Sequence, residues 1–212
     1  MITSGIMTIL HESIQIYDKL CDKNYLIVFG SRSKCEIVQL AVRQSYFWHL
    51  LGCKLESDTT VEKNNTYLRC KNKDDVSDKL SSIHSFSEIK EKYTAMKNVF
   101  DFVDKASIIR VCHSVNCPEE YLFKIGAGND TGIIGYDYPN NGSSKVLFPK
   151  SAQLKSISKI SVNSEKVLMI LSKEIGGKYY NKIEYEIKKN VNYELLKNIP
   201  DGIKVSLSVN KS

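Results

Sequence analysis

Apolar residues recur at helical spacing near the start of the chain: Ile6, Ile9, Leu10, Ile14, Tyr17 and Leu20 form one stripe, with Thr3 or Ser4 placed to cap it. Such a stripe predicts a helix from about Gly5 to Cys21 that buries one face. The period then changes. Tyr25 to Phe29 is a continuous run of β-formers, Gly30-Ser31-Arg32-Ser33 is a turn, and Cys35 to Val42 partly alternates, which predicts a β-hairpin. Ser45 to Cys53 follows directly, and in it Phe47, Trp48, Leu50 and Leu51 flank one histidine. Residues 56–73 are polar and predict a mobile segment, with Tyr67-Leu68 a short strand or part of a helical turn. Asp74 or Asp75 is placed to cap a short helix to Ile83. Ser87 is placed to cap a longer helix from Glu88 to about Val103, with Ile89, Tyr93, Met96, Phe100 and Val103 as its buried stripe.

From Ala106 the pattern turns to strands: Ala106 to His113, Tyr121 to Ala127, Gly132 to Tyr138, Lys145 to Phe148 and Lys166 to Leu171. Turn-forming clusters such as Asn116-Cys117-Pro118, Gly126 to Asp130, Pro139 to Gly142 and Ser161 to Ser164 separate them. Short links between strands favour antiparallel pairing. Helices followed by a meandering sheet give an α+β class, with N-terminal helices packed on a mainly antiparallel sheet. Gly126-Ala127-Gly128 lacks a third glycine and a following helix, so it is not a nucleotide-binding loop. After Gly176-Gly177 come a strand from Tyr179 to Lys188, a helical turn from Asn192 to Asn198 and an alternating strand from Ile203 to Val209. The organisation expected is a domain over residues 1–174 and a β-rich appendage over 175–212.

With 212 residues, 42% hydrophobic and 25% charged, the chain has the composition of a globular protein with a full core. No apolar run approaches the ~20 residues that cross a bilayer, and Glu12 and Asp18 interrupt the start of the chain, so no membrane segment or secretory leader is expected. Six scattered cysteines then read as reduced thiols in a cytoplasm. Cys112, His113 and Cys117 lie close together, but no second ligand pair follows. Asp74, Asp75 and Asp78 are the densest carboxylates, and capping explains them. No metal or other cofactor is therefore expected. The net charge of +6 is uneven: residues 1–139 hold 17 Lys and Arg against 18 Asp and Glu, and residues 140–212 hold 13 Lys against 6. A basic last third suits a polyanion, or simply a solvated surface.

His49 is the candidate for chemistry. Apolar neighbours lower an imidazole's pKa by desolvation and leave it basic near neutral pH. On residues alone, a hydrogen-bonded core histidine accounts for the same letters. His11 has no clear partners, His84 falls between two helices, and His113 ends a strand as the alternative second imidazole.

Phe47-Trp48-His49-Leu50-Leu51-Gly52 after the hairpin, and Phe148-Pro149-Lys150-Ser151 before a last apolar strand, resemble the motifs of a phage-associated nuclease family. It is the fourth phage branch of the barnase–EndoU–colicin E5/D–RelE superfamily, and the resemblance covers about Tyr25 to Glu174. Leu51 stands where the family motif has Thr, which removes a hydroxyl from the site. The resemblance implies a metal-independent endoribonuclease, a toxin of a phage or mobile element, with RNA such as tRNA or mRNA as substrate and an antitoxin or immunity protein as partner. Such cleavage needs a base for the 2′-hydroxyl, a donor for the leaving oxygen and cations for the phosphorane. His49, Lys150 and Ser151 are then the catalytic candidates, and Lys92, Lys97, Arg110, His113 and Lys155 the substrate-binding ones. The alternative is a catalytically inactive nuclease-like module that binds nucleic acid or protein.

Overall fold

The computed structural model describes residues 4–31, 34–113, 123–139, 145–161, 163–187, 196–197 and 199–207. In chain order, helix α1 (Ser4–Asp18) leads into the hairpin β1 (Lys23–Gly30) and β2 (Cys35–Ala41). A short 3-10 turn, Gln44–Tyr46, runs into α2 (Phe47–Leu51), then β3 (Cys53–Leu55), α3 (Thr60–Lys71), β4 (Leu80–Ile83) and α4 (Phe86–Val99). The remaining strands are β5 (Arg110–His113), β6 (Ile125–Asn129), β7 (Gly132–Asp137), β8 (Val146–Gln153), β9 (Glu165–Glu174) and β10 (Lys182–Glu186), with α5 (Ile157–Ile160) between β8 and β9. The fold is α+β, as the pattern predicts, but the early hairpin belongs to the main sheet.

The strands pair in the order β1-β2-β8-β7-β6-β5-β9-β10, and β1 also pairs with β9, so the sheet closes on itself. Among the named strands every pairing is antiparallel except β2 with β8, where only Gln39↔Val146 and Leu40↔Leu147 pair. Strand β9 explains the closure. Its residues 167–174 pair with β1, while residues 165–166 pair with β5 and residues 169–172 with β10.

The continuous apolar run of β1 is explained by burial on both faces. Tyr25, Ile27 and Phe29 join Val167 and Ile170 in the core shared with the helices. Leu26 and Val28 join Leu168, Met169 and Leu171 in a second cluster, covered by Tyr180, Leu196, Ile199, Ile203, Val205 and Leu207. The segment after Glu174 thus lies against the sheet: β10 extends it, and the Tyr180 hydroxyl donates to Gln39 Oε1 at 3.1 Å. Removing such side chains from water stabilises by roughly 1.5–3 kcal/mol each.

Several local expectations are corrected. The polar stretch 56–73 holds α3, capped by Thr59, whose side chain accepts from the Glu62 amide. Thr66, Tyr67 and Cys70 alone are buried from it, too few apolar letters for a visible stripe. The short helix expected from Asp74 or Asp75 to Ile83 is not formed: the Asp75 carboxylate accepts from the Ser77 amide at 2.8 Å, and one 3-10 turn leads into β4. Helix α4 is capped by Ser85, not Ser87, in a capping box with Glu88, and its last residue is Val99. Beyond it the Asp101 carboxylate accepts from the Asp104 amide at 3.4 Å and pairs with Lys19 at 2.9 Å, a local bond that competes with further helix. Helix α5, capped by Ser156, is additional. The turn predicted at 116–118, Cys117, and most of the expected helical turn at 192–198 lie outside the described residues, as do the last residues of the expected 203–209 strand. Among the described residues, no helix is long and apolar enough to cross a membrane, and no three His, Cys, Asp or Glu side chains converge as metal ligands would.

Candidate active site

Helix α2 has five residues, and four of them, Phe47, Trp48, Leu50 and Leu51, are buried. A helix this short cannot stand on propensity, so these anchors hold it. Phe47 meets Tyr17 and Tyr67 edge-on, each with ring centroids 5.4 Å apart. The Trp48 indole donates to the Lys63 carbonyl at 3.0 Å, tying α2 to α3. Gly52 closes the helix at φ 76°. A Cβ there would stand 2.8 Å from Cγ of His84, whose ring lies over the glycine. With every neighbour used as an anchor, His49 is the helix's one exposed side chain. Its ring makes no hydrogen bond among the described residues, so it is not the hydrogen-bonded core histidine that the sequence also allowed.

Lysines from three elements act on this imidazole. Burial of its inner edge, then the charges of Lys92 in α4, Lys150 in β8 and Lys63 in α3, lower its pKa, with Asp58 opposing them. Two of these cations are paired: Lys63 with Asp58 at 2.7 Å and Lys150 with Asp137 at 2.6 Å. The half-buried Lys92 has no carboxylate partner among the described residues, and burial lowers its pKa as well. Beside them, the rings of Tyr46 and Phe148 stack at 4.6 Å, three residues before His49 and two before Lys150.

A β-bulge sets Lys150 apart from its strand. Gly135 pairs with Ser151 and Tyr136 with Pro149, so Lys150 has no counterpart on β7. Ser151 then points to the sheet face of Gly135 and Phe123, on the side of α5 and away from the core shared with α1 and α4. A Cβ on Gly135 would lie 2.7 Å from its Oγ and 2.4 Å from the Phe123 ring. That hydroxyl is buried without a hydrogen-bond partner.

Of the residues the sequence nominates, the structure therefore brings His49, Lys92 and Lys150 together. Ser151 is adjacent in sequence but turned away. Lys97 is exposed in the last turn of α4. Arg110 is bound to Ser164, with Nε donating to Oγ at 2.8 Å and an Nη2 proton to the carbonyl oxygen at 2.5 Å. The His113 ring nitrogen pairs with Glu36 at 2.5 Å, tying β5 to β2. Lys155 is exposed just before α5. Lys63, Asp58, Tyr46 and Asp137 were not singled out from sequence; the Thr59-to-Glu62 cap was the available signal for the helix that carries Lys63.

The lysines give a pH prediction. The folded His49 pKa lies below 6.5, so as pH falls the unfolded chain takes up this proton first. Stability should decline as pH drops from 6.5 through the folded value and then level off with respect to this group. Lys150→Gln or Lys63→Gln removes a repelling charge, so the His49 pKa should rise toward 6.5. Proton NMR of the imidazole Cε1 resonance checks this, and an unmoved titration would mean the lysines do not reach the ring.

An imidazole with a lowered pKa, set among lysines on an α+β scaffold, has the charge and basicity that suit an anionic substrate. The family described as phage-Barnase-EndoU-ColicinE5/D-RelE like nuclease4 (PBECR4) matches residues 9–189, and the chain belongs to that family. The match extends beyond Glu174 to take in β10. No curated protein and no solved structure matches the chain.

Proposed function

We propose that the protein is a metal-independent endoribonuclease that uses the substrate's own 2′-hydroxyl as nucleophile. The observation that carries this reading is His49: one exposed imidazole with a lowered pKa, surrounded by Lys92, Lys150 and Lys63. The neutral ring takes the 2′-hydroxyl proton, and the ammonium groups offset charge on the phosphorane. Family membership supports nuclease chemistry and, through the family's phage association, a role as a toxin of a phage or mobile element acting in the cytoplasm. On this reading its substrate is tRNA or mRNA, and an antitoxin or immunity protein restrains it. Two of the three lysines precede residue 139, so the basic last third contributes Lys150 to the site and otherwise serves binding.

One observation favours a second reading, an inactive nuclease-like module that binds nucleic acid or protein. Leu51 supplies no hydroxyl, and Ser151 Oγ is turned away from His49, so neither motif places a hydroxyl beside the imidazole.

Incubation with total tRNA and mRNA in EDTA, followed by mapping of the ends, separates the two. The expected products carry a 2′,3′-cyclic phosphate and a 5′-hydroxyl, because no water is activated in the first step. DNA, and RNA with a 2′-deoxy sugar at the cut, should resist. Magnesium-dependent cutting of DNA, or products with 5′-phosphates, would overturn the proposal. Salt-dependent binding without cleavage would favour the second reading.

A further inference from the structure

One cation of the site lacks the partner that its sequence spacing provides. Glu88 precedes Lys92 by four residues, the spacing at which a glutamate and a lysine normally pair along a helix. Here the Glu88 carboxylate is committed elsewhere. It accepts from the Ser85 amide at 2.9 Å and from the Ser85 hydroxyl at 2.6 Å, and lies 3.8 Å from Nδ1 of His84. The capping box that starts α4 therefore leaves Lys92 half-buried and without an ion pair among the described residues.

The groups that face Lys92 give it no substitute anion. From β3 comes Cys53, whose thiol burial pushes up to about 12, so it is neutral at working pH. His49 of α2 feels the charges of Lys92, Lys150 and Lys63, and Asp58 is held by Lys63. Glu88, on the same helix as Lys92, is the carboxylate that acts on it, and burial outweighs that attraction. Lys150 and Lys63 differ: each ammonium is engaged by a carboxylate, at 2.6 Å and 2.7 Å, whereas Lys92 has none among the described residues. A single imidazole cannot both take one proton and give another in the same displacement.

We infer that Lys92 is the second proton carrier of the site, protonating the departing 5′-oxygen while His49 takes the proton of the attacking 2′-hydroxyl. This rests on the ribonuclease reading above. The 2′-oxygen forms a bond to phosphorus, the P–O5′ bond breaks with its electron pair on oxygen, and that oxygen leaves as a hydroxyl carrying the Lys92 proton. His49 ends as imidazolium and Lys92 as the free amine; exchange with water restores both, and nothing is oxidised or reduced. Burial of Lys92 lowers its pKa and so makes the ammonium a better donor.

The test compares RNA with nucleoside 3′-(4-nitrophenyl phosphates) of all four bases, whose phenolate departs without protonation. Lys92→Met should slow RNA cleavage by about a hundred- to ten-thousandfold and slow release of nitrophenolate by less than about tenfold. Lys92→Arg, which keeps the charge and holds its proton too tightly to give it up, should stay impaired on RNA. In both variants the basic limb of the pH–rate profile on RNA should disappear. Equal losses on the two substrates, or full RNA cleavage by Lys92→Arg, would assign Lys92 to charge stabilisation alone and overturn the inference while leaving the ribonuclease reading intact. A parent protein silent on every substrate would sink both. Thermal melting of each variant identifies a folding failure, and Lys92→Arg then decides the matter.

Discussion

Replacing His49 with alanine is expected to lower RNA cleavage by about a hundred- to ten-thousandfold, with a melting temperature close to that of the parent. The two effects separate because of how α2 is built. Its packing comes from Phe47, Trp48, Leu50 and Leu51, whereas the His49 ring is exposed and bonded to nothing described. A histidine with a core hydrogen bond would cost on the order of 1–3 kcal/mol on removal, and activity would fall only as the fold failed. His113→Ala is the control, since that ring pairs with Glu36 on other strands and should leave cleavage intact. A stable His49→Ala protein with full activity would remove His49 from the mechanism.

The largest loss of stability is expected one residue earlier. Trp48 is almost fully buried, and Trp48→Ala should cost about 3–5 kcal/mol from lost burial and the cavity left behind. It also removes the indole N–H that the Lys63 carbonyl accepts, a further ~1 kcal/mol. Trp48→Phe keeps most of the apolar volume and drops the hydrogen bond, so it should fall between the two. Urea unfolding of the three proteins would give this ranking; equal stabilities for Trp48→Phe and Trp48→Ala would show that the α2–α3 tie dominates and the packing does not. Because the same tie positions the backbone at Lys63, Trp48→Phe should also move the His49 titration upward.

The fold was readable where one residue type does one job. The stripe of α1, the hairpin and the late strands follow from periodicity. Other features depend on context. Helix α3 carries only Thr66, Tyr67 and Cys70 into the core, and its cap at Thr59 looks like any other polar letter. The cap of α4 lay two residues before the one expected, because Glu88 completes the box with Ser85 and not with Ser87. At the site, the apolar motif singled out His49, and the structure leaves it as the one exposed side chain of α2. The sequence could not show that Ser151 turns away: the extra residue at Lys150 reverses the alternation, and a bulge has no fixed signature in the letters. Lys63 was hidden for a related reason, since its segment read as mobile.

The pairing of β1 with β9 has a consequence for the timing of synthesis. Residues 23–30 emerge early, yet their partners at 167–174 emerge only after nearly the whole sheet has been made. Until then the apolar hairpin has one unpaired edge, a template for wrong association that a nascent chain must keep covered. The halves of the site are separated in the same way, His49 following the hairpin and Lys150 coming just before β9. A fragment that ends before β8 therefore carries the imidazole without Lys150, and a chain truncated before β9 should be aggregation-prone and inert. On the ribonuclease reading proposed above, this order of assembly would spare the machinery still translating it.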